Sequence, residues 1–307
     1  MSAKHIALTR RHLITRAAAL GAVAAQTAAA RDRALPASLP AHPLAEQLDD
    51  AALLTAFMKL RASTDGSITT GWMNAMTYAF IEGETFPLYR LLAATWARFE
   101  KAGDRYRGSS LEIAFFLDPT SRQLLKSLTL PRTGQTVDVP LYRAGPSPSS
   151  VAVRADDRRE FGMANETRSG TSFFRPGIAV SAQRLSQAER DGDMFQVRED
   201  LDTRVTPGDP AAPKFFYREW SIYRGDWNAV MNPRTASAQS QVIYSAATAY
   251  RPWMKMGATP GHTLQNGQGG KVQRAADLPA QLLALVREHH PDLLEAPEKA
   301  LTLKPAA

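Results

Sequence analysis

The densest collection of reactive side chains lies near the C-terminal end, in YRPWMKMGATPGHTLQNGQGGK, from Tyr250 to Lys271. His262 could serve there as a general base near neutral pH, provided a carboxylate or carbonyl fixed its tautomer. Lys255 is the second candidate catalytic group, and Asp226 and Glu219 are candidate orienters of the imidazole. Met254 and Met256, with His262, offer the soft donors that suit Cu(I). A single M-x-M is a poor ligand set, and thioethers equally well fill gaps in a core, so no metal is assigned. Gly267–Lys271 ends in Gly-Lys, yet a phosphate-cradling loop needs Gly at 265 and Ser or Thr at 272. Gln265 and Val272 stand there, which excludes that chemistry.

The other histidines carry less. His42 falls in a Pro/Ala-rich stretch, and His289 and His290 sit where a cation suits a helix C-terminus. The chain has no cysteine, so disulfides, thiol catalysis and zinc-thiolate sites are excluded and stability must come from a core. No cofactor is indicated.

Such residues act only if elements position them. LAEQLDDAALLTAFMKLRAS (44–63) repeats apolar residues at helical spacing, and LPAQLLALVREHH (278–290) does so again before Pro291. Between them the rhythm is two. In ITTGWMNAMTYAFIEG, Trp72, Asn74, Met76, Tyr78 and Phe80 share one face, and Ala75, Thr77, Ala79 and Ile81 the other. Both faces are largely apolar, so this strand is covered on both sides. Further strands are expected in PLYRLLAATWARFE, RYRGSSLEIAFFL, QLLKSLTL, QTVDVP, TSFFRPGIAVSAQRL, MFQVREDLDTRV, KFFYREWSIYR and QSQVIYSAATAY. Asp118-Pro119-Thr120-Ser121 and Pro131-Arg132-Thr133-Gly134 read as turns, AGPSPSS (144–150) as a loop and TPGDPAAP (206–213) as another. Tyr250–Met256 reads as a strand ended by Gly257, Thr259-Pro260-Gly261 as a turn with positive φ at the glycine, and Asn266-Gly267 as a hairpin. Roughly ten strands without βαβ alternation predict a mainly β fold with a helix near each end, an antiparallel barrel or two-sheet sandwich.

A barrel would turn aromatic faces and a few polar tips inward. The candidate ligand-binding residues are Trp72, Asn74, Tyr78, Glu219, Tyr250, Trp253, Lys255 and His262, walling a cavity for an apolar or aromatic small molecule and closed by the 250–271 ribbon.

The N-terminus reads as an address. Thr9-Arg10-Arg11-His12-Leu13-Ile14 is a twin-arginine pattern, followed by an Ala-rich run and the small residues Ala28-Ala29-Ala30. This predicts a signal peptide over 1–30, a linker over 31–43, a single β-rich domain over 44–297 and a tail over 298–307. The partners expected are the twin-arginine export machinery and a small-molecule ligand, and the compartment is the periplasm. Lys4, Arg10, Arg11 and Arg16 supply four of the seven net positive charges, so no nucleic-acid footprint remains. The apolar run is too short to span a bilayer, so no permanent anchor is expected.

FMKLRASTDG, GWMNAMTYAFIEGE, FFLDPTSRQLLKSLTLPRTGQTVDVP, RPWMKMGATPGHTLQNGQGGK and LPAQLLALVREHHP together resemble a twin-arginine-exported, mostly proteobacterial domain-of-unknown-function family, number 1838. The resemblance spans about 50–297 and is most specific in the WM-x-MG-x-x-PG run. Leu130-Pro131-Arg132-Thr133-Gly134 departs from the Asn-Pro-x-Thr-Gly turn expected there. The family brings no established activity. Three readings follow: a periplasmic binder of a small apolar or aromatic molecule; alternatively a hydrolase- or isomerase-type enzyme using His262 with a carboxylate; or a non-catalytic envelope interaction protein.

Overall fold

The computed structural model of the protein describes residues 48–167, 170–207, 215–256 and 259–303. The expected signal peptide, with Arg10-Arg11, and the expected linker lie outside the described residues, as do Gly257 and most of TPGDPAAP. Helix α1 (Asp50–Arg61) begins where Asp49 accepts a hydrogen bond from the Ala52 N–H at 2.7 Å, and Lys59 and Arg61 in its last turn suit its negative end. It buries Leu53, Leu54, Phe57, Met58 and Leu60.

The strands follow as β1 (Thr69–Ile81), β2 (Glu84–Ala102), β3 (Arg105–Leu117), β4 (Ser127–Thr129), β5 (Thr136–Asp138), β6 (Tyr142–Val151) and β7 (Arg154–Thr167). Then come β8 (Gly170–Leu185), β9 (Glu189–Asp191), β10 (Met194–Pro207), β11 (Phe215–Asp226), β12 (Ser240–Thr248) and β13 (His262–Val272). A short helix, α2 (Trp227–Met231), precedes β12, and α3 (Ala280–His289) follows β13. The large sheet runs β6-β3-β2-β1-β13-β12-β11-β10-β8-β7, every pairing antiparallel. Its two end strands, β6 and β7, are consecutive in sequence, so the sheet curls into a nearly closed barrel. At the link between β6 and β7 the Leu185 N–H of β8 donates to the Val153 carbonyl at 2.9 Å, extending the β7–β8 ladder, and the Ala152 N–H donates to Gln183 Oε1 at 3.4 Å.

The barrel expectation therefore holds, with β1 on the segment that period-two alternation marks and β2 and β3 on the next two expected strands. Asp118 caps its turn through Thr120 N–H (3.0 Å) and Ser121 N–H (2.7 Å). Elsewhere the structure differs. The expected loop 144–150 is strand β6, whose Pro146 and Pro148 are tolerated because β6 ends the strand order. No strand was expected over β7. Tyr250–Met256 is not strand: β12 ends at Thr248, Pro252–Met254 forms a 3-10 turn, and Lys255 is left-handed (φ 52°). Asn266-Gly267 is no hairpin, because the whole segment His262–Val272 runs as β13 between β1 and β12. The glycines serve close approach instead: a Cβ on Gly269 would stand 2.0 Å from the Trp72 carbonyl oxygen, and one on Gly267 2.3 Å from that of Asn74. Gly261 does take positive φ (118°), as the turn requires.

Three apolar clusters organise the packing. At one barrel end α1 packs Leu53, Phe57 and Leu60 against Phe99, Tyr106, Phe195 and Trp227. At the other, Trp253, Met254 and Met256 fill the lumen against Ala75, Ala79, Tyr89, Phe116 and Tyr244. A third lies outside the barrel, where Leu282, Leu283 and Val286 of α3 cover Leu92, Trp96, Leu111 and Phe115. The expected C-terminal tail contributes here too, since Leu301 is buried in that layer.

Candidate functional site

Pleating sets what faces inward. On β1 the inward residues are Thr69, Gly71, Met73, Ala75, Thr77 and Ala79, and the register carries this phase to Gly269, Gly267 and Gln265 on β13. It continues to Val242, Tyr244 and Thr248 on β12 and to Tyr217, Glu219, Ser221 and Tyr223 on β11. Between the two plugged ends these side chains leave a cavity of about 470 Å³.

Its wall is apolar in bulk but carries six charged side chains: Arg61, Glu112, Glu199, Glu219, Arg251 and Lys271. Near the α1 end, Arg61 forms an ion pair with Glu199, which is 3% exposed and also accepts from Gln183 Nε2. Removing Arg61 would strand the buried Glu199 carboxylate and cost about 3–5 kcal/mol. Close by, the Lys271 ammonium donates to the carbonyls of Lys59 and Ala62 at the C-terminal end of α1 and to Ser237 Oγ at 2.7 Å. It ties β13 to the helix that plugs this end. Lys59, itself buried, donates to the Val230 and Asn232 carbonyls at 2.8 and 2.7 Å, so α1 is also tied to α2.

Midway along the wall, Glu219 accepts from the Tyr217 and Ser221 hydroxyls. The chain of contacts continues from Tyr217 to Tyr244 (O–O 3.0 Å) and from Tyr244 OH to Gln265 Oε1 (2.9 Å). Burial, with Glu199 nearby, pushes the Glu219 carboxyl up against those hydrogen bonds, and burial pushes Tyr217 and Tyr244 well above the usual phenol range. Such a relay holds a proton tightly and presents hydrogen-bonding edges to whatever fills the lumen.

Toward the ribbon end, Arg251 lies over the rings of Tyr142 (5.4 Å) and Phe116 (6.0 Å). Glu112 faces the same cavity, and burial raises its pKa despite the opposing field of Arg251.

Of the residues expected from sequence, Glu219 lies in the cavity wall and Trp72 borders it while also packing against the outer helical layer. Asn74 and Tyr78 stand on the opposite face of β1: Asn74 accepts from outward-facing Arg90 at 2.9 Å. With both faces of β1 apolar, alternation alone could not say which turned inward. Trp253 is buried in the plug beneath the cavity, and Tyr250 OH reaches the Phe80 carbonyl at 3.2 Å. Lys255 is exposed. His262 pairs with Phe80 on the outer phase, its ring 5.2 Å from that of Phe80 and 6.2 Å from that of exposed Phe216. Among the described residues it forms no ion pair with a carboxylate, Asp226 caps α2, and Glu219 faces the lumen. The geometry thus does not assemble His262, Lys255 and a carboxylate. Arg61, Glu112, Glu199, Arg251, Tyr217, Tyr244, Gln265 and Lys271 were not anticipated. A charged or amide residue inside a strand of inward phase was the available signal, and it becomes readable only once the phase is known. Among the described residues, no group of three or more His, Asp or Glu could hold a metal ion.

Burial holds the Lys271 amine at about 7, below its ordinary 10.5. Between those values the folded protein binds fewer protons than the unfolded chain, so the stability owed to this residue rises with pH. Urea unfolding at pH 7.5 and 9.5 should therefore show the gap between the wild type and Lys271→Met shifting toward the wild type at the higher pH. A gap that does not move would show that the amine titrates normally.

No curated protein matches the chain. Residues 212–304 match a family model described as a protein of unknown function (DUF1838). That span includes β11, β12, the Pro252–Met254 turn, β13 and α3, and with them the Trp253–Lys271 run in which the resemblance is most specific. Over this segment the chain is similar to the DUF1838 family, whose function is not known.

Proposed function

We propose that the protein is exported through the twin-arginine pathway and that, in the periplasm, it holds a small, largely apolar molecule inside its barrel. The observation that carries the binding reading is the lumen itself. At about 470 Å³ it falls within the range of roughly 300–1,000 Å³ typical of small-molecule sites. Met73, Leu91, Ala93, Leu201, Val205 and Val242 make most of its wall apolar, and the Tyr217–Glu219–Tyr244 relay supplies a few fixed polar edges. Export is supported by the Arg10-Arg11 pair and the Ala-rich run after it.

Two experiments test these parts separately. The neutral fluorophore 1-aminoanthracene should brighten on binding the wild type. Val242→Trp, which puts an indole into the lumen, should weaken that binding at least about tenfold with the fold retained by circular dichroism. Equal binding by both would place the probe elsewhere. For export, a folded reporter fused behind residues 1–43 should reach the periplasm with Arg10-Arg11 intact and stay in the cytoplasm when both are lysine. Export of the double-lysine fusion would remove the twin-arginine reading.

A further inference from the structure

Five of the six charges in the lumen differ from the remaining one in a way that points to a ligand. Arg61 and Glu199 neutralise each other. Glu219 is held by two hydroxyls, and Lys271 by two carbonyls and a serine. Glu112 is a carboxyl, which burial favours in its neutral form. Arg251, like Arg61, must stay charged, because a guanidinium does not lose its proton in a protein, but unlike Arg61 it faces no paired carboxylate. Among the described residues it forms no ion pair, and its Nε is buried without a hydrogen-bond partner. Its company is the faces of Tyr142 and Phe116, the neutral hydroxyls of Tyr89 and Tyr142, and the field of Glu112, none of which neutralises it as an ion pair would.

Around it gather other orphaned polar atoms. Tyr89 OH, Thr77 Oγ1, Gln265 Nε2 and Trp253 Nε1 are all buried with no hydrogen-bond partner. Thr77 pairs in register with both Tyr89 and Gln265, so three neighbouring strands bring their inward groups to one level. The Tyr89 hydroxyl sits among Arg251, Thr77 and Gln265 without closing a well-formed bond to any of them. Trp253 packs at a tilt against Tyr89 and Phe116, at ring separations of 6.0 and 5.2 Å. Buried polar groups are rarely left unpaired in folded proteins, and an unpaired donor costs stability. Three of these atoms, Arg251 Nε, Gln265 Nε2 and Trp253 Nε1, can only donate, and the two hydroxyls can donate as well. The unmet demand at this end is for an acceptor, and beside an unneutralised guanidinium the best acceptor is an anion.

We propose that the ligand of the barrel is an amphipathic carboxylate whose head group is received by Arg251 at the ribbon end of the lumen while its apolar body extends toward α1. Arg251 reaches the cavity directly, and the Tyr89–Thr77–Gln265–Trp253 layer lies just beneath it. A carboxylate suits the site because the planar guanidinium fork matches its two oxygens. Burial raises the Glu112 pKa, which lessens its repulsion of a bound carboxylate. The assignment rests on the lumen being a binding cavity, as proposed above, and goes on to name what is bound.

Calorimetric or fluorophore-displacement titrations with decanoate and with 1-decanol separate the two claims. The wild type should bind decanoate at least about tenfold more tightly than the alcohol. Arg251→Met should bring decanoate down to the affinity of 1-decanol and leave the alcohol unchanged. Arg251→Lys, which keeps the charge and loses the fork, should fall between. Equal binding of the two probes by the wild type would overturn the head-group assignment while sparing the cavity. Binding of neither would sink both. The wild-type comparison stands even if a variant at Arg251 fails to fold.

Discussion

The structure turns on one constraint: charge carried into a barrel must be satisfied there. Six charged side chains border the lumen. Desolvating an unpaired ion is expensive, so each dictates its neighbourhood. Glu199 places Gln183 beside the seam between β6 and β7, where that amide also receives the Ala152 N–H. Lys271 needs oxygens and finds them at the end of α1, so one side chain joins β13 to the helix that plugs the barrel. Arg251 lacks such a solution within the described residues, which is why the ribbon end is where the interior stays chemically open.

A lumen exists at all for a geometric reason. Barrel diameter grows with strand number, and about eight strands already give an interior that side chains can just fill. Ten long strands enclose more than these side chains occupy. Gly269 and Gly270 on β13 widen the deficit by bringing backbone, and no side chain, to the wall. Plugs then divide the interior. Phe57 and its neighbours on α1 close one end, and Trp253, Met254 and Met256 fill the other. What remains is a middle whose wall mixes apolar side chains with charged and hydroxyl-bearing ones.

Much of this architecture was legible from the chain alone. Alternation located β1, and helical spacing located α1 and α3, because those elements bury faces that composition betrays. Strand β6 was hidden by its Gly, Pro and Ser content, which local propensity assigns to loops and which only a strand at the end of the sheet order accommodates. Strand β13 was hidden by glycines that read as turn signals but serve close approach to β1. The Tyr250–Met256 run looked like a strand because it is aromatic and apolar, whereas Pro252 and left-handed Lys255 make it a compact plug. The site was harder still. Its polar members come one or two from each of many strands and converge only through register, and on β1 two apolar faces concealed which side is the interior. Chemistry that seemed concentrated in His262 and Lys255 belongs, in space, to their neighbours Arg251, Trp253, Gln265 and Lys271.

The central claim is that the ribbon end of the lumen presents an unneutralised arginine to a bound molecule. A crystal structure of the protein purified from its native cell, at a resolution that shows ordered solvent, bears on this most directly. The expected result is elongated density in the lumen, ending within hydrogen-bonding distance of the Arg251 guanidinium. A lumen collapsed by its own side chains, or Arg251 bridged directly to Glu112 with no other density beside it, would contradict the claim.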